Sequence, residues 1–501
     1  MTDRTEGTAL QADGITFRYI EQNKRNVLDN VSIGFPAGRI TVLMGSSGSG
    51  KSTLAAVLAG LYPENAGILV SGTVSVFGQP LEALPPSRRA LQVSMMFQNA
   101  DLQFCMKTLR DEMLFCLENI SCPPEAMDAR ISEAARTMGM TDCLDRPFAV
   151  LSGGEKQKAA LTCLFLLKSK IILLDEPFAN IDSAWTGVII GMLKEMNRRY
   201  GTTVIAIDHV LDDWMEAVDE IQILCRDGEV VSGIRPSDLA AHRELFHREG
   251  LRLPGEIADK VRGEITEGRI TVAAEALTMR RPGRRGKTGP VLLDGADAGF
   301  AENSITALLG PSGCGKTTFF RTLLGQERYE GSLRVTDDEV RRLKSRSLLS
   351  RVGIVFQNPS HQFVSQNVLT EVETGILGRL PHKGECEGTE TEEKALALLR
   401  RFHLDKYRRY SPFMLSQGQQ RRLAVLSVLA GPQSILLLDE PTYGQDDAMT
   451  QEIMRLLQDV MTERPMTVIM TSHDRRLVRE WADRVYVFRE GGLSLEDHGK
   501  I

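Results

Sequence analysis

The chain has 501 residues, more than one ordinary hydrophobic core accommodates, so two or more domains are expected. With 42% hydrophobic and 25% charged residues, the composition is that of a globular protein and excludes disordered and fibrous classes. The 60 basic and 66 acidic residues give a net charge of −6, which does not supply the basic field typical of nucleic-acid binders.

The N-terminal segment MTDRTEGTALQADG contains no apolar stretch of the signal-peptide kind. No run of about 18 uncharged apolar residues occurs further along the chain. We therefore expect a cytosolic or peripheral protein. The eight cysteines form no CxxC pair and show no metal-ligand spacing, so we expect them to be reduced thiols.

The first motif lies between an apolar strand-like run, ITVLM, and a helical pattern, STLAAVLAGL. The intervening segment GSSGSGKS fits the pattern GxxxxGK[ST], a phosphate-binding loop. Its backbone N–H groups and helix N-terminus face phosphates, its lysine reaches the outer phosphates, and its last hydroxyl ligates Mg²⁺. The candidate ATP-binding residues here are Gly45, Ser46, Ser47, Gly48, Ser49, Gly50, Lys51, Ser52 and Thr53.

Residues 105–170 are predicted to be mostly helical, and the apolar run KSKIILLDEP then predicts a buried parallel strand that ends in two acids. Asp175 is placed to hold Mg²⁺ together with Ser52, and Glu176 is the expected general base for the attacking water. His209 follows another strand-like run, TTVIAID. A lone histidine is usually structural, but this position favours a γ-phosphate contact.

All of these motifs return later in the chain, in the same order. TVLMGSSGSGKSTL returns as TALLGPSGCGKTTF, and IILLDEP returns as ILLLDEP, at offsets of 265 and 264 residues. We therefore predict duplication of a whole α/β domain: residues 1–255 form the first, 256–268 a linker and 269–501 the second. The second copy supplies the ATP-binding candidates Gly310, Pro311, Ser312, Gly313, Cys314, Gly315, Lys316, Thr317 and Thr318, the metal ligands Thr317 and Asp439, and the catalytic candidates Glu440 and His473.

With the segments LSGGE at 151–155 and LSQGQ at 415–419, the chain resembles the ATPases of the ABC transporter superfamily over nearly its full length. The resemblance implies two tandem P-loop NTPase domains of the ABC type, each with a RecA-like core and a helical subdomain. It also implies that each signature binds the γ-phosphate held by the opposite domain, so that two composite ATP sites form head to tail. The signature residues concerned are Ser152, Gly153, Gly154, Ser416 and Gly418.

The resemblance assigns further positions. Gln98 and Gln357 match the glutamine that senses Mg²⁺ and the membrane partner, and Asp182 and Asp446 match the aspartate of the D-loop. Tyr19 matches the aromatic residue that stacks on adenine. Its counterpart in the second copy is Arg281, and this departure puts the second adenine platform in doubt.

Within the superfamily, FQNxxxQF in both copies, IDHVLDD and GLRLP are similar to the energy-coupling factor ATPases of vitamin and metal importers. This similarity implies a fused ATPase that uses ATP and Mg²⁺ at the cytoplasmic face of the cell membrane. The implied partners are a transmembrane coupling protein and a substrate-binding membrane protein, with no nucleic acid. The expected docking segments are Gln98–Phe104 and Gln357–Phe363, where Asp101 is expected to pair with an arginine of the partner and Ser360, its match, is not.

Two alternatives remain open. One is the tandem ATPase of a sugar-type ABC importer, although such proteins tend to have one damaged site and both copies here keep their lysine, acids and histidine. The other is a soluble ABC translation factor that acts on ribosomes, a class with a long charged helical linker where this chain has a short one.

The two copies are not expected to work equally. In the head-to-tail arrangement, the Lys316 site is completed by LSGGE and the Lys51 site by LSQGQ, so the Lys316 site is predicted to hydrolyse ATP faster. If the backbone at Gln417 requires a positive φ, the replacement of glycine there costs about 1–3 kcal/mol.

Overall fold

The computed structural model describes residues 7–20, 26–62, 67–97, 100–178, 183–256, 268–281, 289–311, 313–442, 447–472, 474–489 and 491–496. The chain divides into two compact units, Met1–Glu256 and Ile257–Ile501. Each unit contains a four-stranded antiparallel sheet, a six-stranded mainly parallel sheet and a set of helices. The predicted α/β class with a repeated core is confirmed.

In the first unit the sheet orders are β2-β1-β4-β5 and β10-β9-β3-β8-β7-β6, and only the β9–β10 pair of the larger sheet is antiparallel. The strands are β1 (Thr8–Tyr19), β2 (Leu28–Pro36), β3 (Ile40–Met44), β4 (Gly67–Val76), β5 (Gln79–Pro80), β6 (Val93–Met96), β7 (Ile171–Asp175), β8 (Thr203–Ile207), β9 (Glu220–Leu224) and β10 (Val230–Ile234). The helices are α1 (Lys51–Leu58), α2 (Pro86–Gln92), α3 (Leu109–Asn119), α4 (Pro124–Thr137), α5 (Gly153–Leu167), α6 (Ser183–Tyr200) and α7 (Arg243–Arg248).

The second unit repeats this plan, with sheet orders β12-β11-β14-β15 and β16-β17-β18-β13-β19-β20. Its strands are β11 (Ile270–Arg280), β12 (Val291–Ala301), β13 (Ser304–Leu309), β14 (Tyr329–Val335), β15 (Asp338–Glu339), β16 (Val352–Val355), β17 (Ile435–Asp439), β18 (Thr467–Thr471), β19 (Arg484–Arg489) and β20 (Gly492–Glu496). Its helices are α8 (Lys316–Leu323), α9 (Ser345–Leu349), α10 (Val368–Leu377), α11 (Glu390–Arg401), α12 (Gln417–Leu429), α13 (Asp447–Glu463) and α14 (Arg475–Trp481).

Strand β7 is apolar throughout because both of its faces are covered. Ile171 and Leu173 belong to the core shared with the antiparallel sheet and α1, whereas Ile172 and Leu174 belong to the core that includes the helices after β6. A parallel strand buried in this way has no polar face until it ends. Asp175 therefore lies at the carboxyl edge of the sheet, where ligands bind in open α/β folds. The matching strand β17 has the same division.

The prediction of a mostly helical segment at 105–170 is confirmed by α3, α4 and α5, which pack on one another. Thr108 caps α3 and Asn367 caps the matching helix α10, each accepting a backbone N–H of the first turn. Within the described residues, no helix is long and apolar enough to cross a membrane. The eight cysteines are free thiols.

Candidate functional site

Each predicted phosphate loop follows the central parallel strand of its unit, β3 or β13, and closes onto a helix. Gly45 has φ 152°, and a Cβ on this residue would lie 2.3 Å from the carbonyl oxygen of Leu224, so no larger residue fits. Lys51 is buried, and its Nζ donates to the carbonyl oxygens of Gly45 at 2.8 Å and Ser46 at 2.9 Å. The lysine charge is therefore held over the loop, where an outer phosphate binds in such motifs.

The second loop has the same arrangement. Lys316 is buried, and its Nζ donates to the carbonyl oxygens of Gly310 at 2.7 Å and Pro311 at 3.1 Å. Gly310 has φ 150° and lies against Phe488, the counterpart of Leu224. Ser312 lies outside the described residues. Both units therefore hold a lysine ammonium group at the N-terminus of a helix, which is a site for a polyphosphate anion.

The hydroxyl that ends each loop meets the acid that ends the neighbouring strand. Ser52 Oγ donates to Asp175 Oδ1 at 3.1 Å, and Thr317 Oγ1 donates to Asp439 Oδ2 at 3.2 Å. Burial, aided by the charge of Glu176, raises the pKa of Asp175 to about 6, and burial likewise raises the pKa of Asp439.

These pairs fit Mg²⁺, because each one brings together a carboxylate and a hydroxyl oxygen, the kind of ligand that a hard cation prefers. The buried carboxylates also gain from a neighbouring cation, which would offset the burial that raises their pKa values. The third predicted ligand is a glutamine in both copies. Gln357 is described, whereas Gln98 lies outside the described residues.

The two predicted general bases have the same unusual backbone. Glu176 has φ 49° and Glu440 has φ 51°, both in the left-handed region that non-glycine residues rarely adopt. Glu176 Oε1 lies 2.9 Å from Nε2 of His209, and both side chains are largely buried. In the second unit, Nε2 of Gln357 donates to Glu440 Oε2 at 3.0 Å. The structure thus brings each glutamate together with one other predicted site residue.

Asp208, which sequence reasoning did not assign, fixes the loop that carries His209. One of its carboxylate oxygens accepts the N–H of His209 at 2.7 Å and that of Val210 at 3.1 Å, and the other accepts the indole N–H of Trp214 at 2.9 Å. Burial nevertheless raises the pKa of Asp208 to about 6. In the sequence, Asp208 is marked by the difference between IAIDH in the first copy and IMTSH in the second, where a serine takes its place.

Replacing Asp208 by Asn is expected to change how stability depends on pH. Between about pH 4 and pH 6 the folded chain keeps a proton on Asp208 that the unfolded chain releases, so its free energy of unfolding falls as the pH rises. The Asn variant lacks this proton. The difference in free energy of unfolding between the unsubstituted chain and the Asn variant should therefore be about 2 kcal/mol more in favour of the unsubstituted chain at pH 4.5 than at pH 7. Thermal unfolding at the two pH values measures this, and a constant difference would contradict it.

The signature segments open helices, as expected. Ser152 is the N-cap of α5, its hydroxyl accepts the N–H of Glu155 at 3.3 Å, and the Glu155 side chain accepts the N–H of Ser152 at 2.8 Å. Burial acts to raise the pKa of Glu155, but these hydrogen bonds and the charge of Arg146 outweigh it and hold the pKa below its usual value. The carboxylate is therefore ionised beside the start of the helix.

The altered signature forms the same capping box, with Ser416 and Gln419 in place of Ser152 and Glu155. Gln417 is the first residue of the right-handed helix α12. The condition set for a backbone penalty at Gln417 is therefore not met, because a residue in a right-handed helix has a negative φ. What distinguishes the two signatures is charge: Glu155 is acidic, and Gln419 is a neutral amide that donates to Tyr407 at 3.0 Å.

The two units differ most where an adenine platform is expected. In the first unit, the hydroxyl of Tyr19 lies 2.8 Å from Thr53 Oγ1, and its ring packs edge-on against Phe17 and Tyr62 at 5.2 and 5.9 Å. Burial raises the pKa of Tyr19. In the second unit, Nη2 of Arg281 instead donates to the carbonyl oxygen of Gly313, within the phosphate loop, at 3.0 Å. An aromatic ring and a guanidinium thus occupy matching positions.

Two buried glutamates shape the segments that follow Gln98 and Gln357, and sequence reasoning did not single them out. Glu112 Oε2 accepts the backbone N–H groups of residues 105 and 106, and Glu371 Oε2 accepts those of residues 364 and 365, all at 2.8–3.1 Å. In the sequence, these glutamates are marked by their matching places in the two copies, each four residues after the residue that caps the helix. These carboxylates fix the main chain directly after the expected docking segments, which end at Phe104 and Phe363.

Several predicted positions lie outside the described residues: Gln98, Asp182, Ser312, Asp446 and His473.

The family model described as ABC transporter matches residues 28–179 and 293–443. The chain is 32% identical to the protein of Bacillus subtilis (strain 168) named "Putative HMP/thiamine import ATP-binding protein YkoD", over 97% of this chain and 91% of that protein. A protein of Caldanaerobacter subterraneus subsp. tengcongensis, provisionally named as an ABC transporter ATP-binding protein, is 29% identical over 97% of this chain and 90% of its own length.

Among solved structures, an archaeal ribosome recycling factor in complex with an archaeal ribosomal stalk protein matches with a TM-score of 0.64 and 18% identity, over 97% of this chain and 91% of that one. A ribosome-bound archaeal recycling factor with Pelota matches with a TM-score of 0.67 and 18% identity, over 96% and 78%. At such identities the likeness shows the fold alone. The family match covers both phosphate loops and both acidic strands.

Proposed function

This chain is a tandem ATPase of the ABC transporter family, and we propose that it energises an importer of the energy-coupling factor type that takes up a vitamin, a metal ion or another small molecule. The fold class predicted from the sequence, two tandem ABC-type nucleotide-binding domains, is confirmed. The observation that carries the proposal is the 32% identity, over nearly the whole chain, to a protein named for HMP/thiamine import.

Two ATP sites follow from this proposal. Lys51 and Lys316 bind the outer phosphates, and Glu176 and Glu440 act as general bases, with His209 and His473 at the γ-phosphate. Mg²⁺ neutralises phosphate charge when bound, and its proposed ligands are Ser52, Asp175 and Gln98 in one copy and Thr317, Asp439 and Gln357 in the other. Each site is proposed to be completed by the signature of the opposite domain, Ser152 and Gly154 or Ser416 and Gly418.

The proposed partner is a transmembrane coupling protein at the cytoplasmic face of the membrane, and exposed apolar side chains near the docking segments support it. In the second unit, Val364 is 65% exposed, Phe413 58% and Met414 66%, and the ring of Phe413 packs edge-on against Phe363 at 6.0 Å. In the first unit, Leu102 is 76% exposed. Apolar groups gathered in this way suit the apolar face of a partner helix.

Replacing Phe413 by Asp is expected to abolish co-purification with the coupling protein while leaving basal ATP hydrolysis within about twofold, since a charge in an apolar contact loses the burial energy and must be desolvated. Pull-down from membranes and ATPase assays measure the two effects. Leu495 is similarly exposed at 59% but lies on the edge strand β20, so Leu495→Asp is the matched control and should assemble normally. Equal loss in both variants would contradict this docking surface.

The proposed function is tested by isolating the chain with the integral membrane proteins that it binds and measuring ATP-dependent uptake in proteoliposomes. Uptake that requires both Lys51 and Lys316 is the expected result. A translation factor would instead sediment with ribosomes and remain absent from membranes, and this outcome would overturn the proposal. Assembly with a sugar-transporting permease would support the sugar-type alternative.

A further inference from the structure

A buried carboxylate lies beside the first phosphate loop, and it comes from outside the motifs that form the site. Glu249 is the C-cap residue of α7 and is only 5% exposed. Phe246 and Leu251, on either side of it, are buried in the main core of the first unit. The position of the carboxylate is therefore fixed by the packing of this segment and not by the loop itself.

Glu249 reaches the phosphate loop through two partners. Its Oε2 accepts the backbone N–H of Arg226 at 3.1 Å and the hydroxyl of Ser46 at 3.4 Å. Nε of Arg226 donates to the same hydroxyl oxygen at 3.0 Å, which closes a three-membered network that we name the loop triad: Ser46, Arg226 and Glu249. Arg248 Nε lies 3.4 Å from the other carboxylate oxygen. Ser46 is fully buried, so water does not replace these partners of its hydroxyl.

The second unit is built differently at this place. The residue that matches Ser46 is Pro311, which has no hydroxyl to donate or accept a hydrogen bond. On the strand beside that loop, Arg489 pairs with Glu496 at 2.8 Å, within the β19–β20 hairpin. The loop triad is therefore a feature of the first unit among the described residues, and it distinguishes two loops that otherwise hold their lysines in the same way.

We propose that the Glu249 carboxylate, held beside the first phosphate loop by Ser46 and Arg226, limits the strength of nucleotide binding there through its charge. A fixed carboxylate beside a polyphosphate site opposes binding by like-charge repulsion, and this repulsion grows with the charge of the nucleotide. Arg226 offsets it. Because Glu249 belongs to the segment at α7, nucleotide at the first loop and the placement of this segment are linked energetically. The inference rests on the proposed ATP site at Lys51.

Two substitutions in the loop triad are expected to change ATP affinity in opposite directions. In the full chain carrying Lys316→Ala, which weakens the second loop, we expect Glu249→Gln to tighten binding of ATP about three- to tenfold, because Gln keeps the acceptor and removes the charge. Arg226→Gln should weaken ATP binding by a similar factor. Both effects should decrease from ATP to ADP to AMP, and both should shrink in high salt. Fluorescent nucleotide titration measures them.

A matched control removes the same charge from the same segment. Glu256 is paired with His247 at 3.0 Å and Arg243 at 2.9 Å and takes no part in the loop triad. Glu256→Gln should therefore leave the affinity unchanged. Damage to the fold alone would weaken ATP binding in both Glu249→Gln and Arg226→Gln, whereas the proposal predicts opposite changes in the two variants. Weakening by Glu249→Gln, or an effect equal to that of Glu256→Gln, overturns the inference.

A variant of both loop lysines separates the role of the loop triad from the assignment of the ATP sites. The chain carrying both Lys51→Ala and Lys316→Ala is expected to lose nucleotide binding. If it still binds ATP as the unsubstituted chain does, the proposed sites are wrong. If binding is lost there while Glu249→Gln and Arg226→Gln act in the same direction, the sites stand and the role of the loop triad is refuted.

Discussion

Replacing Glu440 by Gln is expected to slow hydrolysis at its own site by about 10²–10⁴-fold and to reduce total ATP turnover to the smaller share of the Lys51 site, whereas replacing Glu176 by Gln is expected to leave most of the turnover. The amide cannot take the proton of the attacking water, so each change disables the chemistry of one site. The Lys316 site is proposed to be completed by Ser152 and Gly154 of the unaltered signature, so most turnover should depend on Glu440. Steady-state kcat of the purified chain measures both effects.

The geometry supports a catalytic role for both glutamates. A φ near +50° costs on the order of 1–3 kcal/mol for a residue with a side chain, and the chain bears this cost at Glu176 and again at Glu440. Gln357 holds the Glu440 carboxylate, and His209 holds that of Glu176. With the backbone penalty at Gln417 excluded, the expected inequality between sites rests on the charge and composition of the two signatures.

The control for this comparison is a glutamate of the first unit that takes part only in a surface ion pair. Glu195 bonds Arg198 on the exposed side of α6, and Glu195→Gln should leave turnover unchanged. If Glu176→Gln abolishes turnover and Glu440→Gln leaves it intact, the assignment of the faster site is reversed. If both changes abolish turnover, the two sites act only together.

The sequence predicted the fold well because its strongest signals are physical necessities of the architecture. A strand covered on both faces must be apolar until it ends, so IILLD predicted β7 and placed Asp175 at the sheet edge. The loop at Gly45 must be glycine because the carbonyl of Leu224 leaves no room for a Cβ. Repetition of both patterns made duplication of the domain predictable.

What the sequence did not reveal depends on contacts between distant segments. Nothing local in HREGLRLP marks Glu249 as a neighbour of Ser46, since the two residues are more than 200 positions apart and meet only after β9 and β3 pair. Asp208 is a nearer case, since its role depends on a side-chain contact with Trp214, six residues further along, that no periodic pattern indicates. At Gln417 the sequence left open whether the backbone needs a positive φ, and the helix start there needs none.

Exchanging the residues at the two adenine positions is expected to exchange how much the base contributes to binding at the two sites. Tyr19 is held by Thr53 and an aromatic cluster beside the first loop, so a base can stack on it, a contact worth about 1–3 kcal/mol. Arg281 is drawn to the Gly313 carbonyl, where its charge favours phosphate over base. Stacking does not distinguish adenine from guanine, so the expected difference is that the first site prefers ATP to base-free tripolyphosphate more strongly than the second.

The sites are read separately by titrating ATP and inorganic tripolyphosphate into chains that carry Lys316→Ala or Lys51→Ala. Tyr19→Arg should lower ATP affinity at the first site by about 10-fold or more and bring the ratio of ATP to tripolyphosphate affinity close to that of the second site, because the stacking surface is lost. Tyr19→Phe keeps the ring and loses only the bond to Thr53, so the ATP affinity should change by less than about fivefold. If Tyr19→Phe is as damaging as Tyr19→Arg, the hydroxyl bond and not the ring carries the contribution, and the platform role of Tyr19 is wrong. If Arg281→Tyr raises the ratio of ATP to tripolyphosphate affinity at the second site, the guanidinium is what lowers it there, and the difference between the two sites follows from this single position.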